Sequence, residues 1–285
     1  MSLAAVIRTV PISRHDGTAA GELRDDVLAV EEPLEIRVGG HSVAVVMRTP
    51  GHDRELAAGF LVTEGIVRRR DDVMDMIYCA TAAETDARAG EARENTLDVL
   101  LAPGAAFDPA RLTRHVFTSS SCGICSKATI AAVRAQFPAI ARPLAPRRAV
   151  LAALPAQLRA AQAGFTATGG LHASGIFTGD GVLEAVREDV GRHNALDKLI
   201  GRAFFAESLP LTDRILLVSG RVSFELMQKA LAAGLPCVAA ISAPTSAAVE
   251  FARESGQTLV GFLRPSTGAG PAAMRMNVYA GTLAE

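Results

Sequence analysis

The chain reads ILLVSGRVSFELMQKALAAGLPCVAAISAPTSAAVEFARESGQTLVGF over residues 215–262. Short apolar runs alternate in this stretch with longer amphipathic segments: the runs lie at 215–218, 237–241 and 259–262, and the segments at 223–233 and 245–254. Short apolar runs predict strands buried on both faces, and the segments between them predict the helices that cover such strands. We therefore expect an α/β sheet with helices on both of its faces.

The patterns upstream of this stretch predict further elements of the same unit. We expect a helix near residues 156–162, a hairpin with strands at 172–177 and 182–186, and a helix from about 192 to 205. The turn of the hairpin reads Gly179-Asp180-Gly181, which suits a tight reversal of the chain.

The first third of the chain predicts strands around one helix. Four short stretches either alternate apolar and polar residues or are rich in valine. They predict strands at 34–38, 41–48, 73–78 and 96–101. Gly39-Gly40 suits a tight turn between the first two strands. Asp53 is expected to cap a helix that ends near Gly65.

These patterns divide the chain into two expected domains. An α+β domain is placed over residues 1–115, and an α/β three-layer domain over residues 149–285. Residues 116–148 between them hold a cysteine-bearing loop, a helix expected at 127–136 and a proline-rich connector.

The composition is that of a globular chain with balanced charge. Of the 285 residues, 49% are hydrophobic and 21% are charged, which excludes wholesale disorder. The 29 basic and 30 acidic residues leave no basic excess for binding nucleic acid through its phosphates. No apolar run approaches the roughly 18 residues of a spanning helix, and the run at 3–7 is too short for a signal sequence. We expect a soluble cytoplasmic protein that binds neither nucleic acid nor membranes.

Two cysteines stand three positions apart in a polar stretch, where residues 119–127 read SSSCGICSK. A thiolate on Cys122 or Cys125 would be stabilised by the dipole of the helix expected to follow and by the charge of Lys127. Gly123 lets the backbone turn so that both sulfurs can face one point. The residues favour a reactive thiol pair, without separating thiol–disulfide exchange from sulfur carriage.

Half of a structural zinc site is the alternative interpretation of this pair. Such a site needs four ligands, commonly two cysteine pairs or one pair with two spaced histidines. Cys79 and Cys237 stand alone in apolar, strand-like stretches and are expected to be buried, and no histidine pair has the required spacing. The reactive pair is therefore the favoured interpretation.

Polar residues of several kinds are concentrated at 188–198, which reads EDVGRHNALDK. On a helix, Asp189, His193 and Asp197 would be i,i+4 neighbours on one face. A solvated helix face is the alternative interpretation for the charges. The position of Arg192 and His193 just after Gly191, at an expected helix start, favours the binding of an anion or another ligand.

Small hydroxyl residues follow two of the expected strands, at 219–223 (SGRVS) and at 242–246 (SAPTS). Ligands of open α/β sheets sit at the carboxyl ends of strands, where helix N-termini hold phosphates. A Gly-rich turn at 168–172 and the arginines Arg221 and Arg264 add to this pattern. Neither a Walker A motif nor a GxGxxG fingerprint is present, so the pattern suggests a phosphate-bearing ligand without identifying it.

These blocks, in this order, resemble the formate dehydrogenase accessory sulfurtransferase family, the FdhD/NarQ proteins. The resemblance runs over nearly the whole chain and is carried by the motifs at 121–125, 168–172, 188–198, 219–228, 240–246 and 259–263. The Cys-x-x-Cys spacing is unspecific by itself, whereas the C-terminal motifs are specific as a set.

The resemblance implies both a function and a fold. Members of the family take persulfide sulfur from a cysteine desulfurase and deliver it to the molybdenum bis-guanine-dinucleotide cofactor, which is then inserted into formate dehydrogenase. The family fold is a small α+β domain joined to a cytidine-deaminase-like α/β domain, and the protein is usually a homodimer. No tightly bound metal of the protein's own is expected.

The family's site residues can be carried over to this sequence. Cys122 corresponds to the cysteine that carries the persulfide, and Cys125 is its partner. The implied cofactor-binding segment consists of Phe262, Leu263, Arg264, Pro265, Ser266 and Thr267. Arg221 and His193 are expected to add contacts to the cofactor. The sequence departs from the family pattern at 265–275, where a longer run replaces a compact Pro-Gly-Arg.

Three competing functions follow from the same residues. A dithiol oxidoreductase is disfavoured because its Cys-x-x-Cys opens the first helix after a strand of a βαβ unit. A zinc-dependent deaminase needs His-x-Glu and Pro-Cys-x-x-Cys; no histidine here has Glu two positions on, and Ser121 precedes Cys122. A non-enzymatic chaperone for the cofactor is the strongest rival, because it would bind the ligand without needing Cys122.

Overall fold

The computed structural model describes residues 3–17, 21–79, 95–105, 136–265 and 274–285. Its strands are β1 (Ile7–Arg14), β2 (Glu22–Ala29), β3 (Glu32–Val38), β4 (His41–Arg48), β5 (Val73–Tyr78), β6 (Thr96–Leu101), β7 (His172–Thr178), β8 (Leu183–Asp189), β9 (Arg214–Val218), β10 (Cys237–Ala240), β11 (Thr258–Pro265) and β12 (Met274–Ala280). Its helices are α1 (Asp53–Thr63), α2 (Arg148–Ala161), α3 (Ala163–Thr168), α4 (Arg192–Phe205), α5 (Phe224–Ala232) and α6 (Ser246–Ser255). The body of the helix expected at 127–136 lies outside the described residues. None of the helices in the described ranges is long and apolar enough to cross a membrane.

The C-terminal half of the chain builds a six-stranded sheet in the order β12-β11-β10-β9-β7-β8. Strands β9, β10 and β11 run parallel to one another, whereas β7 is antiparallel to β8 and β9, and β12 is antiparallel to β11. The strands expected at 215–218, 237–241 and 259–262 are confirmed, and so is the hairpin of β7 and β8. The edge strand β12 was not predicted.

Helices cover both faces of this sheet. On one face, the leucines of α2 form a hydrophobic cluster with Phe177 and Ile215. On the opposite face, residues of α4, α5 and α6 cluster with Leu216 and Val238. The alternation of Ile215 and Leu216 between the two clusters follows from the period of two along a strand. The prediction of helices on both faces is confirmed.

A second, four-stranded sheet has the order β4-β3-β6-β5. Leu34 of β3, Leu56 and Leu61 of α1 and Leu199 of α4 belong to one buried cluster, which continues into the larger sheet. One hydrophobic core therefore joins the two halves of the chain. The domain limits 1–115, 116–148 and 149–285 remain predictions, since residues 106–135 lie outside the description.

Helices α1 and α4 approach each other closely at two glycines. A Cβ on Gly59 would overlap the backbone carbonyl of Asp197, and a Cβ on Gly201 would overlap that of Glu55. The absence of side chains at these two positions is what allows the two helices to pack backbone to backbone.

Two helix predictions need correction. The helix expected at 156–162 begins at Arg148 and contains Pro155, because an apolar stripe that includes Leu151 compensates for the hydrogen bond that proline removes. Asp53 does not cap α1: His52 holds the cap position with φ of 58°, and the Asp53 carboxylate accepts hydrogen bonds from Arg48 at 3.1 Å.

The two isolated cysteines differ from each other in burial. Cys237 is buried in β10, as expected, and burial raises the pKa of its thiol to about 12. Cys79 follows β5 and is partly exposed, so the expectation of a buried strand residue is wrong for it. It lies beyond the end of the strand, where the alternation of the apolar residues stops.

An ion pair between Glu55 and Arg187 joins α1 to β8. Two of the three side-chain nitrogens of Arg187, Nε and Nη2, donate to the Glu55 carboxylate at 2.6 and 2.7 Å. Burial alone would raise the pKa of Glu55, but the hydrogen bonds from Arg187 and His52 outweigh it and lower the pKa to about 2.

We expect Glu55 to stabilise the fold in a pH-dependent manner. A carboxyl group with a lowered pKa in the folded state contributes stability above its unfolded pKa, and this contribution is lost as the pH falls from about 4.5 toward 2. Glu55→Gln should therefore lower the free energy of unfolding by about 2 kcal/mol at neutral pH, and the difference from wild type should shrink below pH 4.5. Urea unfolding across this range measures it, with the exposed Glu250→Gln as the control; a difference independent of pH would contradict the assignment.

Candidate functional site

The loops at 188–198, 219–223 and 242–246 lie at one edge of the six-stranded sheet. The parallel strands β9, β10 and β11 end there, and the antiparallel strands β7 and β12 begin there. Strand β8 also ends at this edge, where Asp189 pairs with His172. The motifs at 188–198, 219–223 and 242–246 are thereby brought together, as expected for an open α/β sheet.

The loops after β9 and β10 are bonded to each other at this edge. Val222 N–H donates to the Ala243 carbonyl at 3.1 Å, and Thr245 N–H donates to the Val222 carbonyl at 2.9 Å. The hydroxyl groups of Ser223 and Thr245 cap α5 and α6, as their N-cap positions predict. The positive ends of α4, α5 and α6 thus face the same edge of the sheet.

His193 lies in the first turn of α4 and contacts two residues at the start of α5. Its Nε2 lies 3.2 Å from Ser223 Oγ and 3.4 Å from Glu225 Oε2. Burial lowers the pKa of His193 to about 4, against the opposing attraction of Glu225. The imidazole is therefore neutral at pH 7, and a contact with a ligand would use its nitrogen atoms as neutral hydrogen-bonding groups.

Asp189 fixes the start of α4. Its buried carboxylate accepts hydrogen bonds from the backbone N–H of Thr49 and Gly191 and from the Asn194 side chain. Lys198 Nζ lies 2.6 Å from the same carboxylate and also donates to the Thr49 carbonyl. Asp189 therefore holds the end of β8, the beginning of α4 and the chain after β4 in one arrangement.

A second buried ion pair involves Asp197, which lies one helical turn after His193 in α4. Lys229 Nζ of α5 contacts both carboxylate oxygens of Asp197, at 2.8 and 3.1 Å, and donates to Thr63 Oγ1 at 3.0 Å. Burial lowers the pKa of Lys229, but the charge of the Asp197 carboxylate outweighs burial, and the pKa is raised overall. This pair joins α1, α4 and α5.

The buried pairs correct the interpretation of residues 188–198. Asp189 ends a strand and α4 begins at Arg192, so Asp189 is not on the same helix as His193. The alternative of a solvated face is also wrong, since Asp189, Asp197 and Lys198 are buried. Their partners Thr49 and Lys229 come from distant parts of the sequence, which no local pattern could show.

The segment at 262–265 is the C-terminal part of β11. Phe262 has a φ of 53°, and the Arg264 and Arg275 guanidinium carbons lie 5.1 and 5.5 Å from its ring centre. Leu263 is buried in the core cluster that includes α2, so only its backbone can face a ligand. Arg264 and Pro265 are exposed.

Several expected site residues are not placed with these. Cys122, Cys125, Ser266 and Thr267 lie outside the described residues. Arg221 is exposed in the loop between β9 and α5. The structure adds Glu225 and His172 to the edge; Glu225 lies within the motif at 219–228, and His172 ends the Gly-rich turn at 168–172.

Comparison with known proteins assigns the chain to a family. The model of the FdhD/NarQ family matches residues 29–283. The sulfur carrier protein FdhD of Mycolicibacterium paratuberculosis is 52% identical over 258 residues, which cover 90% of this chain and 90% of that protein. The sulfur carrier protein FdhD of Streptomyces avermitilis is 52% identical over 261 residues, which cover 90% of this chain and 88% of that protein.

A solved structure shares the fold. It belongs to a protein from Desulfotalea psychrophila that is described as a formate dehydrogenase accessory protein, with a TM-score of 0.70 and 20% sequence identity. The match covers 97% of this chain and 96% of that one. The mixed α/β fold is therefore shared across nearly the full length. From the family model and the identity to the curated relatives, we conclude that the chain belongs to the FdhD/NarQ family.

Proposed function

We propose that this protein is a sulfurtransferase that carries sulfur as a persulfide on Cys122. The observation that carries the proposal is the Cys-x-x-Cys motif at 122–125, inside the span matched by a family whose curated members are named sulfur carrier proteins. In the loading step, the Cys122 thiolate attacks the outer sulfur of a donor persulfide, R–S–SH. A new S–S bond forms on Cys122 while the donor's S–S bond breaks, and the donor leaves as a thiolate without a net redox change. A cysteine desulfurase is the proposed donor.

The proposed acceptor is the molybdenum bis-guanine-dinucleotide cofactor, bound as a substrate at the carboxyl edge of the six-stranded sheet. Its phosphate groups suit the helix N-termini at this edge and the exposed guanidinium groups of Arg221 and Arg264. Phe262 offers an aromatic ring between two arginines. Ser266 and Thr267 complete the proposed binding segment, and His193 is proposed to add a contact to the cofactor.

The contacts of Gln136 support an acceptor site at the carboxyl edge of the six-stranded sheet. Gln136, which follows residues 106–135, donates to the Glu64 carbonyl at 2.8 Å and accepts from the Gln228 side chain at 3.3 Å. Gln228 lies on α5, whose N-terminus is at the carboxyl edge. Gln136 therefore lies beside α5, whose N-terminus is at the proposed acceptor site.

The remaining features of the proposal come from the family. We propose formate dehydrogenase as the client, because the solved structure with the same fold is described as a formate dehydrogenase accessory protein. A homodimeric cytoplasmic protein is proposed with it. A cytidine-deaminase-like classification of the larger sheet is also proposed, supported by the order β8-β7-β9-β10-β11 with helices on both faces.

A chaperone that binds the cofactor without carrying sulfur is the second candidate. The observation that favours it is that the carboxyl edge is built from β7 to β12 and three helices, which all lie outside the Cys-x-x-Cys motif at 122–125. A dithiol oxidoreductase has less support, since the curated relatives of this chain are named sulfur carrier proteins.

The activity of the client enzyme separates the two candidates. Cells that lack this protein should regain formate dehydrogenase activity with the wild-type chain and remain at background with Cys122→Ala. Cys79→Ala serves as the matched control and should restore activity fully, because Cys79 lies outside the motif. Full activity with Cys122→Ala would replace the carrier by the chaperone.

A further inference from the structure

A small cleft lies at the opposite end of α4 from the carboxyl edge. It is bounded by the start of α1, the last residue of α4 and strand β5, and its lining consists of Arg54, Arg70, Val73, Asp75, Met76 and Phe205. Helix α4 has 14 residues and rises about 1.5 Å per residue, so the cleft is roughly 20 Å from the carboxyl edge. It is therefore separate from the proposed acceptor site.

The two arginines of this cleft, Arg54 and Arg70, form no ion pair within the ranges that the structure describes. The acidic residue of the lining is Asp75, and its Oδ1 accepts a hydrogen bond from the Met76 backbone N–H at 2.7 Å. Two positive charges against one negative charge leave the lining with a positive charge in excess. Guanidinium groups that share one cleft repel each other, and a bound anion would relieve that repulsion.

Aromatic rings and a backbone carbonyl orient the two guanidinium groups. The guanidinium carbon of Arg70 lies 5.6 Å from the ring centre of Phe205, and Arg70 Nη1 donates to the Val73 carbonyl at 2.6 Å. The guanidinium carbon of Arg54 lies 6.0 Å from the ring centre of Tyr78. Such contacts position a guanidinium group and leave several of its five N–H groups for another acceptor. The two side chains are thereby preorganised for a ligand.

The rest of the lining is apolar and leaves little space. Val73 and Met76 are buried, and Phe205 is partly buried. The cleft encloses about 240 Å³, less than the roughly 300–1,000 Å³ of pockets that hold drug-sized ligands. A nucleotide is too large for it. A group of a few heavy atoms with an anionic end and an apolar body fits.

We propose that this cleft binds a carboxylate that carries a short apolar chain. Arg54 and Arg70 would donate to the carboxylate oxygens, while Val73, Met76 and Phe205 would contact the chain. A phosphate or sulfate ion has no apolar part to meet these three side chains, which is why a carboxylate is favoured. A free short-chain acid and the glutamate side chain of a partner protein offer the same carboxyethyl group, and the experiment distinguishes these two sources.

The methyl group of Met76 can report binding, because Met76 lines the cleft. NMR spectra of the full chain with isotope-labelled methionine methyl groups would follow titrations with propionate, with its neutral analogue propionamide, and with a capped pentapeptide that has one central glutamate. Met76→Leu identifies the signal, and Met227, which is buried in the core, is the internal control. Propionate or the peptide should shift the Met76 signal until it saturates. Propionamide should not shift it, and the Met227 signal should stay unchanged throughout.

Substitutions of the two arginines test their role. Arg54→Gln and Arg70→Gln should each weaken binding by about tenfold or more, because a charged hydrogen bond is lost. Arg148→Gln is the matched control, since Arg148 is exposed at the start of α2 and is not part of the lining. Tighter binding of propionate would identify a free acid as the ligand, and tighter binding of the peptide would identify a partner protein. The site is overturned if neither acidic probe shifts the Met76 signal, or if both arginine variants bind like Arg148→Gln.

Discussion

Asp189→Ala should destabilise the protein by about 3–5 kcal/mol, the cost of leaving one partner of a buried ion pair alone. The substitution leaves the Lys198 ammonium buried, with the Thr49 carbonyl as the acceptor that remains. It also frees the N–H groups of Thr49 and Gly191 from their acceptor. The free energy of unfolding in urea measures the loss.

Two further variants identify the cause of that loss. Asp180→Ala removes a carboxylate from an ion pair with Arg147 in which both side chains are exposed, and it should have no measurable effect. Lys198→Met combined with Asp189→Ala removes both buried charges and should recover part of the stability. A loss below about 1 kcal/mol in Asp189→Ala would contradict the role assigned to this carboxylate.

Gly201→Ala should be the second strongly destabilising substitution. In an open helix, replacing Gly by Ala adds roughly 1 kcal/mol of stability. At position 201 the new methyl group would overlap the backbone of Glu55 in α1, so the two helices must separate. Overpacking of this kind costs about 3 kcal/mol, and the sign of the effect is therefore reversed.

Gly179→Ala is the matched control, because its Cβ would meet the Asp213 carbonyl at 3.5 Å, an ordinary contact. The melting temperature should fall for Gly201→Ala and stay near that of wild type for Gly179→Ala. An unchanged or raised melting temperature for Gly201→Ala would show that α1 and α4 do not approach as closely as described.

The larger sheet could be predicted from the sequence because its strands are short and buried on both faces. Continuous apolar runs such as 215–218 leave few alternatives to a buried strand, and the capping residues Ser223 and Thr245 mark the following helices. The ribbon of β1 and β2 was missed because most of its residues, such as Leu23, are exposed. An exposed ribbon has no alternation of apolar and polar residues to detect.

The candidate site could be predicted in part for a similar reason. Loops after parallel strands must meet at one edge, so Arg221 and Arg264 could be assigned to it without knowing the fold in detail. The partners of the buried charges could not be predicted. Lys229 and Asp197 are brought together by helix packing, and Thr49, which contacts Asp189, directly follows β4 of the other sheet. Such long-range pairs leave no spacing signal in the sequence.

The mass of the intact protein after incubation with a cysteine desulfurase and cysteine tests the central claim most directly. Wild type and Cys79→Ala should each gain the mass of one sulfur atom, which a reductant removes, whereas Cys122→Ala should gain none. Such a pattern would establish Cys122 as the persulfide carrier. Equal gains in wild type and Cys122→Ala, or no gain in either, would contradict the account.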